Sequence, residues 1–240
     1  MQVDISALNA TDLAALYRPP LHRWLRSNMV LSLDGNYAGL QGSSRELSSA
    51  ADLRVLLLLR ALSDVVVVGA RTAIGEKYEN LGIREEFSHL TDAAPRLCVV
   101  SASLGFSGDE GFLARAEARP IVITKRQDDQ KWASNLDRLQ EVADVIVADA
   151  TLSGSFVVES LRELGLDQIL CEGGPSLLAL LAQDSCLDEL AITLSPVVVG
   201  QMPAQPPLGV TYSAWHRSMI GFADEHTFFR FTASPLHTQI

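Results

Sequence analysis

The chain has 240 residues, enough for one large domain or two small ones and for a core that needs no covalent staples. Hydrophobic residues make up 48% and charged residues 20%, as in ordinary globular proteins. A net charge of −10 argues against a nucleic-acid binder, whose contact surface is basic, but leaves room for a local basic pocket.

Residues 1–20 carry Asp4 and Asp12 and lack a basic stretch followed by an apolar one, so no secretory leader is expected. A short helix is expected over residues 11–17, stopped by Pro19-Pro20. We read residues 1–22 as an N-terminal extension and 23–240 as one domain. Residues 23–35 read as a strand ending in a turn at Asp34-Gly35. Next, "SAADLRVLLLLRAL" spaces its leucines as a helix does, with Ser49 as the cap. "SDVVVVGA" follows, and four consecutive valines predict a strand buried on both faces.

The alternation then repeats. "PRLCVVSAS" and "RPIVITK" are strands around a weak helical stretch at residues 108–118. "DRLQEVADVIVAD" pairs a short helix with a strand, "SGSFVVESLRELG" is a helix, "LDQILCEGG" a strand and "PSLLALLAQ" a helix. "LDELAITLSPVVVG" reads as a long antiparallel edge strand broken at Pro196. A loop, "QMPAQPPLG", leads to a terminal hairpin at residues 215–233. The expectation is an α/β fold: a mostly parallel central sheet flanked by helices, with a C-terminal antiparallel hairpin. The longest apolar runs, "VLLLLRAL" and "DVVVVGA", are too short to cross a bilayer, and a cytoplasmic location is expected.

Cys98, Cys171 and Cys186 are far apart, and the five histidines show no ligand spacing, so reduced thiols and no metal site are expected. Open α/β sheets bind ligands at the carboxyl ends of their strands, and three loops there stand out. In Glu172-Gly173-Gly174-Pro175-Ser176 the glycines leave backbone N–H groups bare at a helix start, and Pro175 suits the first turn. A pyrophosphate fits there, although a Gly-Gly pair also makes a tight turn for its own sake. Glu172 faces a ligand amine or caps the following helix; the residue types alone leave both open. In Gly69-Ala70-Arg71-Thr72, Arg71 is a phosphate clamp or a solvated loop cation. In Ser32-Leu33-Asp34-Gly35, Asp34 is by default a turn former. Arg60, on an apolar helix face, is by default a snorkelling or paired cation.

Together "NMVLSLDG", "LLRALSDVVVVGARTA", "ILCEGGPSLLALL" and "LDELAITLSPVVVG" resemble the pyrimidine reductase family of riboflavin biosynthesis, over about residues 23–231. The resemblance implies a dihydrofolate-reductase-like fold, NADPH as hydride donor, a phosphorylated aminopyrimidine substrate and a homodimer. It places Gly69, Thr72, Ser101, Thr124, Gly173, Gly174, Pro175 and Ser176 on the cofactor. Asn28, Ser32 and Arg60 face the substrate, and Asp34, Glu76 and Glu172 are the candidate acids. No zinc motif of the deaminase often fused to this family is found, so a stand-alone reductase is expected. The stretch "AIGEKYENLGIR" departs from the family pattern of an acid and proline followed by an arginine: Glu76 is the nearest acid, and Arg84 the nearest arginine. Asn28 replaces a lysine of some members, and Ala102 stands where a basic residue is expected against the cofactor's 2′-phosphate in some relatives. Arg71 is expected to supply that contact. The same pocket is compatible with another heterocycle, such as dihydrofolate, or with a protein that binds NADPH without turnover.

Overall fold

A computed structural model describes residues 2–76, 78, 81–106, 108–114, 116–201 and 214–233. The loop expected at residues 201–209 lies outside them beyond Gln201.

The sheet is built on short strands rich in apolar residues, with the valines of the run at 65–68 buried on both faces. β2 (Trp24–Leu31), β3 (Val65–Gly69), β4 (Arg96–Ser101), β5 (Ile121–Lys125), β6 (Asp144–Ala148), β7 (Gln168–Cys171) and β8 (Glu189–Leu194) all run parallel. β9 (Trp215–Ala223) and β10 (His226–Ala233) form the expected antiparallel hairpin. Asp224 and Glu225 take positive φ at its two-residue turn, as the twist of a tight hairpin demands. The order across the 10-stranded sheet is β1-β9-β10-β8-β2-β7-β3-β4-β5-β6.

The valine run shows how the layers arise. Val66 and Val68 pack on one face with Leu58 and Leu59 of α2 (Ala50–Ala61), Tyr17 of α1 (Ala10–Tyr17) and Trp132 of α5 (Gln130–Val142). Val65 and Val67 pack on the other with Val157 of α6 (Gly154–Glu163) and Leu177 of α7 (Pro175–Gln183). Each such fully buried side chain contributes about 1.5–3 kcal/mol of transfer free energy. Two further helices, α3 (Ala70–Glu76) and α4 (Gly111–Ala114), are short. Ser49 caps α2 through the Asp52 N–H, as its sequence position predicts.

Three expectations are corrected. The Gly69–Thr72 stretch is no loop: Gly69 ends β3, and Ala70, Arg71 and Thr72 form the first turn of α3. The run at residues 187–200 is a strand only to Leu194. It is also no edge, because β8 pairs with β2 on one side and β10 on the other, which removes the edge argument for a dimer. A strand of three residues, β1 (Gln2–Asp4), is an addition; it pairs in parallel with β9. Among the described residues no helix is long and apolar enough to cross a membrane.

Candidate active site

The carboxyl ends of β2, β7 and β3 lie side by side because β7 inserts between the other two. Ser27 pairs with Cys171, so the next step along each strand brings Asn28 and Glu172 to adjacent positions. Strand alternation puts Asn28 on the face of Arg26, which bonds the Tyr17 carbonyl of α1. Glu172 turns to that same face. Arg60 of α2 meets it as a fork, Nε on Oε1 and Nη2 on Oε2, both at 2.7 Å. The Tyr78 hydroxyl donates to Oε2 at 2.7 Å, and the Arg60 guanidinium lies 5.4 Å from the Tyr78 ring centre. The side chains of Glu172 and Arg60 are 4% and 14% exposed, so this pair is shielded from water. Burial lowers the Arg60 pKa, but the Glu172 charge and hydrogen bonds outweigh it and push it up. Burial, then Glu172, pushes the Tyr78 phenol well above its usual value, so it stays a donor.

The next two residues turn the chain. Glu172 N donates to Val67 O at 3.1 Å and Gly69 N to Gly173 O at 2.8 Å, tying the turn to β3. Gly173 has φ +87°, a conformation that favours glycine, and the Gly173–Gly174 peptide is cis. A Cβ on Gly174 would sit 2.7 Å from the Thr72 hydroxyl. Gly174 thus lets the starts of α3 and α7 come close, with Pro175 in the first turn of α7. Arg71 Nη2 lies 3.2 Å from the exposed Ser176 hydroxyl. Gly69, Arg71, Thr72, Gly173, Gly174, Pro175 and Ser176 therefore form one cluster.

Ser32 and Asp34 form a second group at the end of β2. Asp34 accepts from the Ser32 hydroxyl at 2.6 Å and from the N–H groups of Gly200 at 2.7 Å and Val199 at 3.1 Å. These donors, Ser32 first, hold its carboxyl well below the usual range, which suits an acceptor and not a proton donor. Asp34 pins the segment after β8, in addition to forming the turn.

Three expected residues stand apart. Glu76 ends α3 and accepts from Ser43 Oγ, Ser44 N and Ser44 Oγ at 3.0–3.1 Å, with Arg45 at 3.3 Å. Ser101 and Thr124 face each other across β4 and β5, beyond β3. Thr124 is fully enclosed, with the Trp132 indole N–H 3.5 Å from its hydroxyl. Sequence reasoning missed Tyr78, which lies inside the divergent stretch but in no periodic pattern. Among the described residues no group of three or more His, Cys, Asp or Glu could hold a metal ion.

The family model described as "RibD C-terminal domain" matches residues 23–212. Riboflavin biosynthesis protein RibD of Aquifex aeolicus is 25% identical over 75% of this chain and 48% of its own length. The 2,5-diamino-6-ribosylamino-4(3H)-pyrimidinone 5′-phosphate reductase of Archaeoglobus fulgidus is 25% identical over 72% of this chain and 80% of its own. The chain thus spans about half of the RibD relative and four fifths of the archaeal one. The solved structure of a pyrimidine reductase-like protein from Corynebacterium diphtheriae superposes with a TM-score of 0.82 at 23% identity, covering 95% of this chain and 99% of that one, which shows a shared fold.

Proposed function

Because the chain belongs to the RibD C-terminal domain family, we propose that it is an NADPH-dependent oxidoreductase of riboflavin biosynthesis. Its substrate is then 5-amino-6-(5-phosphoribosylamino)uracil or the 2,5-diamino pyrimidinone counterpart, reduced at the ribosyl chain. The family match over residues 23–212 carries this reading. The curated archaeal relative, named for reduction of the diamino compound, supports it.

The residues present suit a dinucleotide phosphate. Gly173 and Gly174 bare the backbone where α7 begins, and a side chain at Gly174 would fill the space against Thr72. Arg71 and Ser176 add a guanidinium and a hydroxyl on the same rim. Those residues, with Gly69 and Pro175, would hold the cofactor, and Ser101 lies further along the sheet. Thr124, being enclosed, would act there only as support. Bound there, the nicotinamide would supply a hydride for the ring-opened, imine-like ribosyl carbon, with a proton going to the nitrogen attached to it. The protein binds, orients and excludes water. Asn28 lines the substrate side, walled by the Arg60–Glu172 pair, and Ser32, itself buried, would act there through Asp34. Asp34 stays ionised and positions residues 199–200 instead of giving a proton. We further propose a cytoplasmic homodimer with 1–22 as an extension of the 23–240 domain; light scattering at micromolar concentration would return a monomer mass if the dimer is wrong.

The test is NADPH oxidation followed by absorbance, with both pyrimidine ribosyl phosphates, dihydrofolate and an NADH control run in parallel. Turnover with either pyrimidine is expected. Turnover with dihydrofolate alone, or with none while NADPH still binds, overturns the substrate assignment.

A further inference from the structure

α3 is poorly equipped to stand alone. It has seven residues, with Gly75 inside it, and Ala73 is its buried residue. Ile74, its largest apolar side chain, is 49% exposed. A helix this short is unstable by itself, and an interior glycine costs about 1 kcal/mol relative to alanine. Its position depends on what grips its ends.

Both ends return to the same strand-to-helix turn. At the start, Gly69 N bonds Gly173 O, Thr72 packs against Gly174, and Arg71 reaches Ser176. Just past the other end, Tyr78 donates to Glu172, the residue directly before the glycines. The contacts close a ring: Glu172, the Gly173-Gly174 turn, Thr72, the length of α3, Tyr78 and Glu172 again. Arg60 holds the carboxylate still by its fork, so the Tyr78 hydroxyl meets a fixed acceptor. Glu76 fastens α3 to residues 43–45 on the other side, but that bond leads away from the turn.

We propose that Tyr78 is a positioning residue for cofactor binding: its hydroxyl, held by Glu172, fixes the far end of α3 and so keeps Arg71 and Thr72 seated against the Gly173-Gly174 turn. The proposal rests on the NADPH reading above. It gives the divergent stretch a task that its residues did not announce, since Tyr78 reaches the turn through Glu172, the residue before the glycines.

Tyr78→Phe isolates the hydroxyl, because the ring and its contact with Arg60 remain. A hydrogen bond to a charged group is worth enough to move an equilibrium by about tenfold or more. NADPH affinity by fluorescence titration is therefore expected to weaken about five- to tenfold, with substrate KM at saturating NADPH within about twofold of wild type. Amide hydrogen exchange over residues 71–76, measured without added ligand, is expected to speed up by about the same factor. Unchanged exchange with unchanged NADPH affinity overturns the proposal. So does a rise in substrate KM alone, which would make Tyr78 a substrate contact. If the wild type itself fails to bind NADPH, the proposed function falls, and the exchange comparison still decides whether Tyr78 steadies α3.

Discussion

Replacing Arg60 with methionine should destabilise the protein far more than loss of an ordinary ion pair. The substitution keeps most of the aliphatic length and removes the fork. Glu172 would then hold a buried charge that keeps the Tyr78 hydroxyl as a donor but has lost its cation, in a side chain only 4% exposed. Breaking a buried pair from one side costs about 3–5 kcal/mol, because the orphaned charge cannot regain its water. For a chain of this size, each kcal/mol shifts Tm by roughly 2–4 °C, so a fall of roughly 6–20 °C is expected. The triple variant Arg60→Met, Glu172→Leu, Tyr78→Phe removes the charge, its partner and the donor together. It should recover most of the loss, since a packed apolar replacement of a buried pair is often neutral. Urea unfolding by circular dichroism measures all forms, provided the m-values agree. A cost below about 1 kcal/mol for Arg60→Met, the range of exposed pairs, would refute the claim that this pair is desolvated. So would a triple variant less stable than the single one.

Gly174→Ala tests the close approach of α3 and α7 at a φ of −70°, which alanine readily adopts. Its Cβ would meet Thr72 Oγ1 at 2.7 Å, a clash expected to cost about 1–3 kcal/mol; Thr72→Ala in the same chain should restore the unfolding midpoint, and no restoration would place the strain elsewhere. Asp34 gives a pH test. Its folded pKa is depressed, so its stabilisation is complete above the unfolded carboxylate value of about 3.9 and is lost as pH falls through the folded value. The advantage of wild type over Asp34→Asn in urea midpoint should be full at neutral pH and shrink below about pH 4; a gap independent of pH would contradict the bonding seen at residues 199–200.

Much of the fold is legible because a few residues act locally. Four valines in a row cannot alternate with polar residues, so the strand they form must be covered twice, and Val65 to Val68 divide between the two layers as that requires. Ser49 and Pro175 mark helix starts by satisfying or lacking a backbone donor, which needs no tertiary context. β1 fails this kind of reading because three residues carry no period, and its pairing partner in β9 is supplied by the far end of the chain. The edge position expected for β8 fails for a related reason. Strand order depends on how the chain crosses over, and the C-terminal hairpin folds back to cover β8 with β10.

The site divides along the same line, between what one segment dictates and what several share. The glycine turn and the start of α7 follow from contiguous residues, and their clustering with Arg71 and Thr72 follows from β3 and β7 being neighbours. The roles of the acids do not follow, because an acid's chemistry is set by the donors around it. Asp34 collects its donors from Ser32 and residues 199–200, Glu76 from residues 43–45, and Glu172 from α2 and Tyr78. Glu189 makes the point most sharply. Within "LDELAITL" it looks like a solvent-facing residue of a strand, yet it is fully buried and accepts from Trp24 and Arg26 of β2 and from Arg230 of β10. The same arginines hold the Tyr17 and Leu16 carbonyls at the end of α1. One strand acid therefore helps dock the N-terminal helix through cations that pattern reading would leave in water. Where a carboxylate's partners come from distant segments, spacing can nominate the residue, but the convergence of those segments decides whether it binds, positions or holds the fold.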